Sequence, residues 1–178
     1  MTTQLRTRLV PEFVATDRLG QAVTQCWLDV TNAGGAVGFP FPPVTTVEVA
    51  ERTRQLERRI ASGSTLLFVA ERASNMRGWV SLRLNTFSLT KHWATVEHLQ
   101  SHPDQRGTGV GQALMHALAE HARVLGLDHL RLVLRSGQNL EGFYASLGWQ
   151  EIGRHPNALR FDDGDRDEVA MLLDLTIR

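Results

Sequence analysis

The stretch Gln105-Arg106-Gly107-Thr108-Gly109-Val110-Gly111 decides how this chain is read. Its three glycines stand between a strand-like segment, residues 94–101, and a helical one in which Val110, Leu114, Ala117, Leu118, His121 and Leu125 share one stripe. Glycines at a helix start leave backbone N–H groups bare, and the positive end of the helix dipole makes them an anion site. Arg106 sharpens this, because a cation just before a helix opposes the dipole by roughly 0.3–1 kcal/mol unless an anion lies between them. Residues 107–112 contain neither Asp nor Glu, so an external phosphate is the simplest counter-charge. The spacing predicts a pyrophosphate cradle.

What the motif lacks narrows the ligand. A nucleoside-triphosphate loop needs Lys and then Ser or Thr after its last Gly, and here Gln112 and Ala113 follow Gly111. A dinucleotide fingerprint needs Gly-x-Gly-x-x-Gly after the first strand of a βαβ unit, and Gly107-x-Gly109-x-Gly111 does not fit it.

The segment closely resembles the Arg-x-x-Gly-x-Gly loop of the GNAT superfamily of N-acetyltransferases, here Arg106-x-x-Gly109-x-Gly111. Residues 96–103 are similar to the strand before that loop, residues 130–135 alternate like the strand after its helix, and Phe143-Tyr144-Ala145-Ser146-Leu147-Gly148-Trp149 resembles the family's later helix. The resemblance covers about residues 66–177 and implies an α/β (α+β) fold: a mixed central sheet of six to seven strands, helices on both faces, and a splay between strands four and five. It implies acetyl-coenzyme A as acyl donor, with the pantetheine arm in the splay. Gln105, Arg106, Gly107, Gly109, Val110 and Gly111 would bind the pyrophosphate through backbone N–H groups, with Thr108 adding its amide or hydroxyl. A strand-four N–H among Leu99, Gln100 and Ser101 would face the oxyanion. Ser101 stands where the family usually has Val, a change that leaves the amide intact. Asn139 is assigned to the pantetheine arm, although the position seven residues before the Tyr, where the family has its Asn, is Gly137 here.

Composition agrees. A length of 178 residues with no linker, repeat or low-complexity tract suits a single domain over 1–178. The balance of 19 basic and 19 acidic residues offers no field for nucleic acid, which favours a small-molecule partner. No apolar signal core or membrane-length stretch is present, and the single Cys26 cannot pair internally, so a cytoplasmic protein, monomer or homodimer, is expected.

Before the loop, residues 6–10 read as a strand. Phe13, Leu19, Val23, Trp27 and Val30 recur at helical spacing up to a stop at 32–35, and Thr45 or Thr46 caps a second helix running to about Ser62. On that helix Glu51, Arg54, Glu57 and Arg58 read as a solvated face. Residues 65–71 and 79–85 are strand-like, joined through 72–78, and 150–154 and 168–175 close the set. In the superfamily the first two helices cover the acceptor. Gly34-Gly35-Ala36-Val37-Gly38-Phe39 between them resembles a segment of tabtoxin-resistance acetyltransferases, which acetylate a small amino-acid-like toxin. It reads either as a substrate-facing loop or as a plain turn.

Acetyl transfer to an amine needs a neutral nitrogen, a stabilised oxyanion and a proton for the departing thiolate. An alkylamine with a pKa of about 10 is protonated at neutral pH, so a carboxylate acting directly or through water is useful, and Glu97 is the candidate. Strand alternation would put Thr95, Glu97, Leu99 and Ser101 on one side and His98 on the other. In the tabtoxin-resistance group the acid matches Thr95, about 6.5 Å along the strand from Glu97, so Glu97 would act through water or orient the amine. Tyr144, the only tyrosine, matches the family's proton donor to the thiolate. His116 and His121 are wrongly spaced for a shared metal, so no metal is expected; the acidic run 162–168 reads as a solvated turn; and Cys26 lies in the wrong region for a covalent intermediate. The expectation is an N-acetyltransferase for a small primary amine, by direct ternary-complex attack. A protein lysine or N-terminal acetyltransferase is the enzymatic alternative, and a non-catalytic acyl-coenzyme A binding or sensing domain the alternative of another class.

Overall fold

The computed structural model describes residues 4–35, 38–39, 41–161 and 163–176. Seven strands form one sheet in the order β1-β2-β3-β4-β5-β7-β6. They are β1 (Arg6–Val10), β2 (Thr65–Arg72), β3 (Asn75–Leu84), β4 (Trp93–Ser101), β5 (His129–Arg135), β6 (Gln150–Leu159) and β7 (Arg166–Asp174), with helices α1 (Arg18–Asn32), α2 (Thr46–Ala61), α3 (Val110–Val124) and α4 (Leu140–Ser146). All neighbours are antiparallel except β4 and β5, and β7 folds back between β5 and β6.

Alternation along the central strands sorts the core into two layers. Val80 and Leu82 of β3 pack with Val110, Leu114, Met115 and Leu118 of α3, whereas Trp79 faces Val23, Cys26 and Trp27 of α1 together with Val49 and Leu56 of α2. Helices therefore cover both faces, as expected. The buried α3 stripe also takes in Ala119 and Ala122, while Leu125 is left half exposed.

Two boundaries differ from the sequence reading, and one choice that it leaves open is decided. Helix α1 begins five residues after Phe13, because Asp17 accepts from the Gly20 N–H at 2.7 Å and caps it there. The β2–β3 connection is only Ala73-Ser74, both at positive φ, so β3 starts at Asn75 rather than Trp79. Helix α2 is capped by Thr45 with a full capping box to Glu48, which selects between the two threonines considered.

The splay is visible in the pairing. β4 meets β5 only at Trp93↔His129, Ala94↔Leu130 and Thr95↔Arg131, while β5 stays paired with β7 as far as Arg135↔Glu168. Past Thr95, β4 is held by β3 alone, and the edge it presents to β5 opens into a cavity.

Candidate active site

Strand β4 does not keep its alternation. Its register against β3 shifts between Trp79↔Gln100 and Ser81↔Glu97, and His98 stands in the left-handed region at φ 57°, the signature of a bulge. The extra residue flips the parity of everything after it, which corrects two sequence expectations. His98 does not turn away from Glu97: its ring lies 4.8 Å from Trp27 and 5.8 Å from Trp79 on the α1 face, with Nδ1 3.3 Å from the Ser81 hydroxyl. Leu99 and Ser101 do not share the side of Glu97; both approach Gly111 at the start of α3, where an added Cβ would meet the Ser101 Oγ at 3.6 Å and Leu99 at 3.9 Å. A period of two holds only while neither strand inserts a residue.

Glu97 is a half-buried carboxylate with both oxygens engaged. Arg83 donates to Oε1 at 2.7 Å and Arg59 of α2 to Oε2 at 2.9 Å, and Arg83 also reaches the Thr95 hydroxyl at 3.1 Å. Burial alone would raise the Glu97 pKa, but the Arg83 hydrogen bond and the charge of Arg59 outweigh it and hold the group below the usual carboxylate range. Neighbouring His98 is pushed down to about 4, chiefly by burial, so its imidazole is neutral at neutral pH. Sequence patterning gives no role to Arg59 or Arg83 and turns His98 away from Glu97. A signal exists for one of them: Arg52, Gln55 and Arg59 recur at three and four along one face of α2, beside the Glu51–Arg54–Arg58 ion pairs.

The glycine loop lies at the other end of the cavity. A 3-10 turn, Pro103–Gln105, leads out of β4, and Gly107 and Gly109 follow at φ 73° and 83°. A Cβ on either glycine would meet no heavy atom within 4 Å, so this surface is open. Helix α3 has Gly109 at its cap with no side-chain hydrogen bond and no acidic residue in its first turn. The Ala113 N–H is the one that reaches the Gly109 carbonyl, at 2.9 Å, which leaves the amides of Val110, Gly111 and Gln112 as the helix's orphan donors. Thr108 is spent inside the turn, with its N–H and hydroxyl both on the Gln105 carbonyl, at 3.3 and 2.8 Å. Arg106 is exposed and has no ion pair among the described residues.

One cavity of about 1740 Å³ joins the two ends. It is lined by Glu97, His98, Arg52 and Arg59, by the β4 edge from Thr95 to Ser101, by Gln105, Arg106, Gly107, Gly109, Val110 and Gly111, and by Asn139, Phe143 and Tyr144. Tyr144 is 8% exposed, its ring against Phe143 and Trp149, and burial raises its phenol above the ordinary value. Gln100 is 1% exposed, with neither side-chain polar atom hydrogen-bonded among the described residues. Asn139 sits at φ 53° as the cap residue of α4.

Gly34, Gly35, Gly38 and Phe39 face the cavity; Ala36 and Val37 lie outside the described residues. The Gly34 carbonyl accepts from Arg135 and from Gln138 at 3.0 Å, tying the α1–α2 connection to the far wall. Cys26 is buried in α1, and its thiol is pushed up to about 12 by burial and by Asp29. In the acidic run Asp163 pairs with Arg166, Asp165 with Arg160 and Asp167 with Arg154; Asp162 lies outside the described residues.

Residues 40–158 match the acetyltransferase (GNAT) domain family. L-methionine sulfoximine/L-methionine sulfone acetyltransferases of Pseudomonas aeruginosa PAO1 and Pseudomonas paraeruginosa are each 31% identical over 114 residues, 63% of this chain. The match spans 66% of the relatives' length, slightly under two thirds. Among solved structures, an N-acetyltransferase of Staphylococcus aureus Mu50 superposes with a TM-score of 0.78 at 16% identity, covering 97% of this chain and 99% of its own. The Salmonella typhimurium yncA protein, solved with its cofactor acetyl-CoA, superposes at 0.74 and 20% identity, covering 98% and 95%. At these identities the structural likeness is one of fold. With the match over residues 40–158, the open glycine loop and the splayed strands β4 and β5, the chain belongs to the GNAT acetyltransferase family.

Proposed function

We propose that the chain is an acetyl-CoA-dependent N-acetyltransferase that acetylates a primary amine of a small molecule by direct attack within a ternary complex. The observation that carries this reading is a continuous cavity running from the bare N-terminus of α3 to Glu97, with Tyr144 in its wall. The residues present fit the donor. Gly107 and Gly109 leave open space for a pyrophosphate, and the amides of Val110, Gly111 and Gln112 point no hydrogen bond back into the helix. The β4 edge beyond Thr95 leaves backbone groups free of a second strand for the pantetheine arm. When bound, acetyl-CoA supplies the acetyl group as a thioester.

The chain's own residues divide the remaining work. Glu97, ionised between two guanidiniums, keeps lone pairs available for an ammonium or for a water that carries its proton away. Its depressed pKa makes it a weak base, which suits orientation of the amine and relay through water better than direct proton capture. An N–H of Leu99, Gln100 or Ser101, beyond the bulge, faces the oxygen that gains charge. Tyr144 keeps its proton through neutral pH, and its O–H responds to negative charge developing on sulfur, a strong interaction in a dry wall. The tether from Gly34 to Arg135 and Gln138 roofs the acceptor end, which favours a small acceptor over a protein segment. The Pseudomonas relatives, named for small amino-acid acceptors, support the same choice.

Thiol release from acetyl-CoA with a panel of small amines tests the activity. Within it, Tyr144→Phe should lower turnover about 10²-fold with donor affinity nearly unchanged. Near-normal turnover, with chemistry limiting the rate, would return Tyr144 to a packing role. Glu97→Gln should depress turnover most at low pH, where the acceptor is charged, and the loss should shrink as pH rises. A pH–rate profile unaltered in shape would remove Glu97 from proton handling.

A further inference from the structure

The acceptor end of the cavity holds more positive than negative charge. Among the described residues Glu97 is the sole carboxylate lining the cavity, and it is shared between Arg59 and Arg83. The other guanidiniums at that end differ in what they already hold. Arg58 is paired with Glu51 at 3.3 Å, and Arg135 donates to the Gly34 carbonyl. Arg52 has neither an ion pair nor a hydrogen bond among the described residues; its guanidinium carbon stands 5.8 Å from the Phe39 ring centroid. A cation–π contact of this kind uses the charge of a guanidinium and none of its N–H groups, which stay free for a ligand. Arg52 is also near the reacting region, since its charge and that of Arg59 add to burial in holding down the pKa of His98, the residue next to Glu97.

We propose that Arg52 is an anion subsite for the acceptor, so that the enzyme acts on zwitterionic amines, small amino acids carrying a free carboxylate, and discriminates against polyamines and cationic peptides. This rests on the acetyltransferase reading. Glu97 and Arg52 supply the two complementary charges: the carboxylate attracts the ammonium, and the guanidinium takes the acceptor's carboxylate in a planar two-point contact. A polyamine would instead meet Arg52 and Arg59 with a second positive charge, and like-charge contact is a rejection device. The acidic run 163–168 does not offset this, because none of its residues lines the cavity and Asp163, Asp165 and Asp167 are each paired with an arginine.

The test compares L-methionine sulfone with its carboxamide, which keeps the amine and the side chain and removes the negative charge. Using the ratio of Arg52→Ala to wild type on each compound cancels their difference in amine basicity. The KM ratio should rise at least tenfold more for the acid than for the carboxamide, and Arg52→Lys should recover part of the difference. Equal ratios for the two compounds would overturn the subsite. Calorimetric titration of both compounds into the protein reads the subsite without turnover: the acid should bind more tightly to wild type and lose that advantage in Arg52→Ala, and equal binding by wild type would also overturn it. Failure of the acetyltransferase reading has a separate signature, namely no thiol release with either compound although the calorimetric preference for the acid is present.

Discussion

Helices α2 and α3 meet the same physical problem at their first turns and solve it in opposite ways. Each begins with backbone N–H groups that have no partner within the helix. In α2 the Thr45 hydroxyl accepts from the Glu48 N–H at 3.4 Å, the Glu48 carboxylate accepts from the Thr45 N–H at 2.8 Å, and the acid also meets the dipole. In α3 a left-handed Gly109 replaces the capping side chain, and no acid lies in the first turn. The first arrangement is complete within the chain, whereas the second leaves donors and positive potential facing a cavity. A helix start that the chain leaves unfinished is thus a sign of what the protein binds, provided that a cavity lies in front of it.

The contrast can be tested from either side. The largest effect is expected from Gly109→Val. A β-branched residue at φ 83° costs roughly 1–2 kcal/mol, and its side chain would fill the space in front of the amides. Acetyl-CoA affinity should fall at least about 100-fold, or ~2.7 kcal/mol, in calorimetry on the folded variant. Unchanged affinity would mean that the loop is not the cradle. An intermediate effect is expected from Gln112→Glu, which puts at the third helical position of α3 the acid that α2 already has. Thermal stability of the free protein should rise by about 0.3–1 kcal/mol. Donor affinity should fall roughly tenfold as the new carboxylate meets the pyrophosphate, about 1.4 kcal/mol. A gain in stability with no loss of affinity would place the phosphates elsewhere. The smallest effect belongs to Thr45→Ala, which should cost about 1 kcal/mol of stability and leave donor affinity unaltered. The Glu48 pKa is lowered by its hydrogen bonds to Thr45, so this cap's contribution is present above the ordinary carboxylate range and lost as pH falls through the lowered value. Thr45→Ala should therefore matter less in acid, as pH-dependent melting would show.

The legible parts of this protein were local ones. The glycine loop, the α3 stripe, the cap of α2 and the alternating β5 are each specified within about fifteen residues, and each stands where its pattern placed it. Helix α1 was placed five residues too early because Phe13 packs into the core from the connection before the helix, and periodicity cannot distinguish that from a first turn. Strand β3 starts four residues before the pattern suggests because Asn75, Met76 and Arg77 lack strand character, while the two-residue turn at Ala73-Ser74 carries them into the ladder all the same.

The two ends of the cavity divide along the same line. At the donor end, one sequence segment supplies the strand exit, the turn, the open glycines and the orphan amides, so chemistry and spacing could be read directly. At the acceptor end nothing is contiguous. Arg59 reaches Glu97 across 38 positions, Arg83 across 14, and Arg135 meets Gly34 across 101. A single inserted residue at His98 then reverses which face Leu99 and Ser101 present. The resemblance of one motif therefore points to the family and the kind of donor, because amides that would hold a pyrophosphate need only a helix start and a lack of side chains. Which charges surround the acceptor depends on long-range pairing and on strand register, since a guanidinium has no assigned partner until the fold brings a carboxylate within about 3 Å of it or leaves it, like Arg52, with none among the described residues.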